Sequence, residues 1–385
     1  MNRKRGKNSW IFLLLFLFII AVLFSLQIIL DLEKIETVTS AFVVDFFVEK
    51  DIAISLQKVN SFIQDKGSVE VHFCPQENCE LLFLNFLERA ESSIHCALYD
   101  LSLSSVQEVL LRKKEEGKEV QVVTDDAYLK RFTHSFVKAD GSYGLMHNKF
   151  CIVDGSKIST GSMNPTTGDT RKNNNNLLLI SSQLVAQSYE DEFTEMWTGI
   201  FKQGEITKNP SVRVGEVNMG FFFCPEDDCA EKVQEEIRKA KKSVYFMTFS
   251  FTHKEIAQEL LFKKLEGIEI KGIMDKTQAA GEYSVFPLLK YQGINVLKNT
   301  KSAKKDIRNS TKVNSEFTKN SLLHHKVFII DDKTVITGSF NPTKGGDERN
   351  DENLVIIHDN EIAEQYVAEF QHLWKNANTP DLINS

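Results

Sequence analysis

The chain has 385 residues, 42% of them apolar and 26% charged, the balance of a folded globular protein and not of a disordered one. That length holds about two or three domain-sized units. The net charge is −7, an acidic balance that argues against tight nonspecific binding to nucleic acid, though not against a local basic site.

Residues 1–9 carry Arg3, Lys4, Arg5 and Lys7 and no acid. Trp10 to Leu30 then runs for 21 residues with only Ser25 and Gln27 as polar interruptions, long enough to span a bilayer as a helix. A cleaved signal peptide begins the same way. The run exceeds a typical signal core and no small-x-small site follows it closely, so a retained single-pass anchor is expected. The basic flank places 1–9 in the cytoplasm and the rest of the chain outside. Residues 31–68 read as a stalk.

Two cysteine pairs follow, Cys74 and Cys79 in "FCPQENC", and Cys224 and Cys229 in "FCPEDDC". In an exported chain they read as two local disulfides rather than one zinc site. Cys96 and Cys151 fall in apolar runs and are expected to be small buried side chains. The pairs are offset by 150 residues, an offset that also aligns Ala90 with Ala240, Gly117 with Gly267 and Asp125 with Asp275. Downstream the offset is 177, aligning His147 with His324, Asn176 with Asn353 and Trp197 with Trp374. An internal duplication follows, of units 69–200 and 217–378 joined by a linker at 201–216.

Each unit predicts the same elements in order. In the first, a helix at 80–90 precedes a buried strand at 93–101, and a helix at 105–117 precedes a strand at 119–125. A His-Lys strand, a "TGS" strand or turn, a strand at 175–180 and a helix at 184–197 complete it. Alternation of this kind predicts an α/β fold.

His147 and Lys149 stand two apart, as do His324 and Lys326, so on a strand both members of a pair share one face. Asp154 and Asp331 follow each Lys by five residues, an odd step that turns them to the opposite face and toward a structural task. Asn148 and His325 alternate away from the His-Lys face. The motifs "HNKFCIVD…GSMN" and "HHKVFIID…GSFN" resemble those of the phospholipase D superfamily, over nearly all of residues 70–375. The resemblance implies two duplicated α-β-α units packed about a pseudo-two-fold axis with one active site between them. It also implies a phosphodiesterase that acts through a covalent phosphohistidine, with His147 as nucleophile and His324 as proton donor. Ser162, Asn164, Ser339 and Asn341 match positions that hold the phosphate in that family.

The residue types point the same way. Two imidazoles can serve as nucleophile and acid-base, and Lys149 and Lys326 suit negative charge that grows in a transition state. The motif lacks the carboxylate cluster of a two-metal site, so no metal and no cofactor are expected. Beyond the Asn, the family often carries an acid that hydrogen-bonds the catalytic imidazole. Counting 28 residues from each His reaches Glu352 in the second unit but Asn175 in the first, which places the carboxylate behind His324. There it suits an imidazolium acid and equally a phosphorylated His324 with the two roles exchanged. Residues 298–321 hold seven basic and two acidic residues and read as a lid that attracts phosphates. The expected substrate is a membrane phospholipid, with a metal-independent nuclease as the alternative and a degenerate lipid-binding protein third. Both half-sites lie in one chain, so a monomer is expected.

Overall fold

The structure is a computed structural model that describes residues 62–141, 143–299 and 321–378. The expected membrane span, most of the stalk and most of the basic stretch 298–321 lie outside the described residues. Among the described residues no helix is long and apolar enough to cross a membrane.

The first half runs β1 (Ile63–Asp65), β2 (Ser68–Cys74), α1 (Cys79–Glu88), β3 (Ser93–Leu98), α2 (Ser104–Glu115), β4 (Glu119–Thr124) and β5 (Val137–Ala139). It continues with β6 (Lys149–Val153), β7 (Lys157–Gly161), α3 (Thr167–Arg171), β8 (Asn175–Ser181) and α4 (Gln183–Thr198). The second half runs β9 (Ser211–Val214), β10 (Val217–Cys224), α5 (Cys229–Lys239), β11 (Ser243–Thr248), α6 (Lys254–Leu265) and β12 (Glu269–Asp275). After these come α7 (Phe286–Tyr291), β13 (Asn295–Asn299), β14 (Lys326–Ile330), β15 (Thr334–Gly338), α8 (Lys344–Glu348), β16 (Glu352–His358) and α9 (Asn360–Asn378).

Local sequence accounts for these elements. In α2 the buried side chains are Val106, Val109, Leu110 and Lys113, the one-face spacing of an amphipathic helix. Gly117 beyond its end takes φ 82°, the left-handed residue that terminates helices. The Ser182 hydroxyl accepts from the Val185 N–H and caps α4. Expected stalk residues 63–65 instead form β1, which pairs in parallel with β9, and β9 itself lies in the expected linker. β9 alternates Val212 and Val214 with polar residues and buries the valines, whereas β1 is held by its backbone pairing and leaves Ile63 exposed.

Seven strands form one sheet in the order β2-β8-β7-β6-β3-β4-β5, and nine form the other as β1-β9-β10-β16-β15-β14-β11-β12-β13. Leaving out β1 and β9, the two orders match strand for strand. The largest apolar cluster draws on both sheets and on α4 and α9, around Tyr189, Tyr366, Phe150 and Phe221. Separate clusters bury α1 and α2 against the first sheet and α5, α6 and α7 against the second. This is a mixed α/β architecture.

Disulfides join Cys74 to Cys79 and Cys224 to Cys229, each stapling the end of a strand to the first residue of a helix. Cys96 and Cys151 are the expected small buried side chains, and they also join in a disulfide with each other. They are directly opposed across the antiparallel pair β3–β6, and their Cα atoms are 4.1 Å apart. Closing a loop between residues 55 apart in sequence stabilises by about 2–4 kcal/mol. A Cys96→Ala/Cys151→Ala variant is expected to lose that much unfolding free energy in urea relative to the oxidised protein, with activity retained below the transition.

Candidate active site

The His-bearing segments sit between the two sheets. β6 and β14 begin at Lys149 and Lys326, so His147 and His324 precede their strands and do not lie within them. Each segment pairs with the other half. Met146 bridges Asp351 and Leu323 bridges Asn174; the His147 N–H donates to the Asp351 carbonyl and the His324 N–H to that of Asn174, both at 2.9 Å. Asp125 and Asp275, at the ends of β4 and β12, accept from the Met146 and Leu323 N–H groups. The imidazoles are thus tied to both halves by backbone.

This exchange overturns the expected pairing of histidine with acid. Glu352 and Asn175 open β16 and β8, immediately after the bridging residues Asp351 and Asn174, so each faces the opposite half. Glu352 lies 2.8 Å from His147 Nδ1, and the Asn175 amide oxygen lies 2.8 Å from His324 Nδ1. The carboxylate stands behind His147, not His324. Counting along one half could not reveal a partner that comes from the other.

Ser162 and Ser339, expected to hold phosphate, stand beside these partners. The Ser162 hydroxyl donates to the Asn175 oxygen at 3.0 Å and accepts from the Asn176 N–H. Ser339 accepts from the Asn353 N–H and helps hold the Glu352 carboxyl in its charged form. The serines stand where they do because Gly161 and Gly338 precede them at φ 125° and 130°. A Cβ at either glycine would come within 2.5 Å of the Asn176 or Asn353 carbonyl, so only glycine fits.

Asp154 and Asp331 were expected among the catalytic groups, with a structural task. Each sits in the turn just beyond its strand at positive φ. Asp154 accepts from the backbone N–H groups of Glu91, Ser92 and Ser93. Asp331 does the same for Lys241, Lys242 and Ser243. They anchor the turns that lead into β3 and β11. Asn148 and His325 also face the join between halves. The Asn353 amide donates to Asn148 Oδ1 at 2.9 Å, and the His325 ring stands edge-on to Phe73 of the first half at 6.2 Å.

Lys149 and Lys326 are buried, and each ammonium donates to the carbonyl of the histidine two residues before it, at 2.6 and 2.7 Å. The rings of Tyr99 and Phe249 stand edge-on to His147 and His324 at 4.7 and 4.9 Å. Burial, with Lys149 and Lys326 adding to it, holds the His147 pKa well below its usual value. Burial and Lys326 do the same to His324. Burial brings Lys149 down to about 8 and holds Lys326 well below its usual value, with Lys149 adding to the effect. Burial pushes Glu352 up to about 7, against the pull of Lys149 and the bonds from Ser339 and Asn350. Such a site favours neutral imidazoles while unliganded and has cationic groups ready for an anion.

A carboxylate absent from the sequence reading also reaches the site. Asp169 in α3 is buried, and its Oδ2 lies 3.6 Å from His324 Nδ1. It accepts from the Asn164 N–H and side-chain amide at 3.0 and 2.7 Å and from the Asn173 amide at 2.6 Å. Asn341, the counterpart of Asn164, makes no side-chain hydrogen bond among the described residues, and its Oδ1 is buried without a partner. The signal was available: "TTGDTR" carries an acid where "TKGGDE" has Gly346.

A family model described as "Cardiolipin synthase, PLD-like domain" matches residues 83–197 and again 233–374. The chain belongs to the phospholipase D superfamily. Among curated superfamily relatives it is similar to a phospholipase D of Rickettsia typhi, 29% identical over 150 residues that cover 39% of this chain and 65% of the relative. It is also similar to a mitochondrial cardiolipin hydrolase of Xenopus tropicalis, 31% identical over 136 residues that cover 32% of this chain and 65% of the relative. The match therefore spans just under two thirds of either relative's length. A phosphatidylserine synthase of Haemophilus influenzae has the same fold at TM-score 0.60 and 11% identity, over 80% of this chain and 86% of its own.

Proposed function

We propose that the protein is a phosphodiesterase of the phospholipase D type that hydrolyses membrane phospholipids. The observation that carries this reading is the joining of both His-Lys pairs in one buried site, each imidazole held at Nδ1 by a partner from the opposite half. Matching strand orders and reciprocal bridges support two duplicated units about a pseudo-two-fold axis, and hence a monomer complete in itself. In our reading residues 10–30 anchor the chain and the catalytic part lies outside the cytoplasm.

With Nδ1–H directed at Glu352, the His147 Nε2 lone pair attacks phosphorus and the bond to the leaving oxygen breaks. His324 in its imidazolium form gives that oxygen its proton. Water then attacks the phosphohistidine as His324 takes a proton back, and His147 is released. Lys149, Lys326 and the free amide of Asn341 stabilise the non-bridging oxygens. The anion itself raises the pKa of His324, since an opposite charge at this range favours the protonated ring.

The test uses the full chain in detergent with EDTA, on phosphatidylcholine, phosphatidylethanolamine, cardiolipin and single-stranded DNA. Turnover of at least one phospholipid that survives chelation is expected. Turnover confined to DNA would replace this reading with a nuclease, and a requirement for metal would refute the mechanism.

A further inference from the structure

We propose that Asp169 is the positioning carboxylate of His324, doing from α3 what Glu352 does for His147 from the start of a strand. This deepens the reading above and rests on His324 as the acid-base. The two halves each supply the opposite imidazole with one acidic side chain, but from different elements. In the second half the acid opens β16 at Glu352, and glycine occupies the helix position, Gly346. In the first half the acid is on the helix at Asp169, and an amide, Asn175, opens β8. Loss of the carboxylate at one position coincides with its presence at the other.

The geometry joins the two first-half residues into one acceptor. Asn175 Oδ1 receives the Nδ1–H of His324, while the Asn175 amide donates to the Asp169 backbone carbonyl at 3.2 Å. The carboxylate of Asp169 then approaches the same nitrogen at 3.6 Å. The amide fixes the tautomer, and the carboxylate contributes the charge that an amide lacks. Bonds from Asn164 and Asn173 hold that carboxylate rigidly.

The surrounding charges make the countercharge consequential. Facing His324 are Lys326 from its own strand, and Lys149 and His147 from the first half. Asp275 accepts from the N–H of Leu323, next to it, and the Phe249 ring covers one edge. With Lys149 and Lys326 charged, Glu352 and Asp169 balance them. Without Asp169 two ammoniums face one carboxylate, and the His324 imidazolium becomes harder to form just when the leaving oxygen needs its proton.

The experiment compares wild type, Asp169→Asn and Asp169→Gly/Asn175→Glu. The double variant copies the Gly346–Glu352 arrangement into the first half. Asp169→Asn is expected to lower kcat by about ten-fold or more and to move the alkaline limb of kcat down by about one pH unit. The sign follows from the lost anion, which lowers the His324 pKa and deprotonates the acid earlier as pH rises. The double variant is expected to restore both, which a merely structural Asp169 would not allow. In parallel, the His324 Cε1 resonance is followed over pH by NMR in the substrate-free protein, where the midpoint should fall in Asp169→Asn and recover in the double variant. A folded Asp169→Asn with unmoved limb and midpoint, or a double variant no better than the single, would overturn the proposal. If wild type hydrolyses no phosphodiester, the functional reading fails while the NMR comparison still decides the role of Asp169.

Discussion

His147→Ala is expected to cut turnover by about 10⁴-fold or more, the scale on which removal of a covalent nucleophile acts. The assignment follows from the exchanged pairing. A nucleophile must be neutral and must present a lone pair, and His147 meets both needs. Burial and the two lysines hold its pKa down, and the 2.8 Å contact from Nδ1 to Glu352 leaves Nε2 unprotonated and directed away from the acid. As phosphorus bonds to Nε2 the ring gains positive charge, and Glu352 is placed to stabilise it. Its pKa near 7 shows how poorly the unliganded site tolerates the anion, which becomes welcome once the ring is cationic. His324→Ala removes the acid and the base for the second step while leaving this nucleophile intact. With a substrate whose leaving group needs no protonation, such as a p-nitrophenyl phosphodiester, that variant should accumulate an acid-labile adduct. Mass spectrometry of peptides from the trapped enzyme should place the adduct on His147. No adduct in His324→Ala, with an adduct on His324 accumulating instead in His147→Ala, would reverse the two roles and with them the meaning of Glu352.

The parts of this site legible in the sequence were those written locally. The His-x-Lys spacing, the Cys-Pro-x-x-x-Cys pairs and the helix-ending glycines each depend on neighbours within a few residues. The last two marked the local disulfides and a helix end, and the first located both half-sites although the histidines precede their strands. What failed required register or contact between distant segments. Cys96 and Cys151 looked like small core residues because nothing within either strand shows that antiparallel pairing sets them opposite each other. Glu352 was attached to the wrong histidine because a count of 28 residues stays within one half, whereas the backbone bridges at Met146–Asp351 and Leu323–Asn174 cross between halves. Asp169 was passed over because its alignment partner is Gly346. The fold puts the two acids at positions that do not match along the repeat but reach equivalent space.

Lys326→Met is expected to lower kcat by about 10²- to 10³-fold, the usual cost of losing one preorganised charge at an anionic transition state, with the protein still folded. Lys326 is almost fully buried and its ammonium donates to the His324 carbonyl, so it needs little reorganisation as charge builds on phosphorus. Methionine fills the same volume without charge, and its stability cost should be small because a strained cation is removed with it. The binding step should report the same electrostatics before any chemistry occurs. Burial has brought Lys149 down to about 8, so near that pH the empty site holds only part of its possible positive charge. An adjacent anion raises both lysine pKa values, and sulfate should therefore bind at pH 8 with net proton uptake. Titration calorimetry in two buffers of different ionisation enthalpy measures that uptake directly. It should approach about half a proton for Lys149 alone, rise further with Lys326, and shrink in a Lys149→Met variant. Sulfate binding with proton release would mean that both lysines are already fully charged in the empty site, and uptake unchanged by Lys149→Met would mean the same of Lys149. Catalysis would then owe its charge stabilisation to cations that cost nothing to recruit, and the Lys326→Met loss would fall mainly on KM.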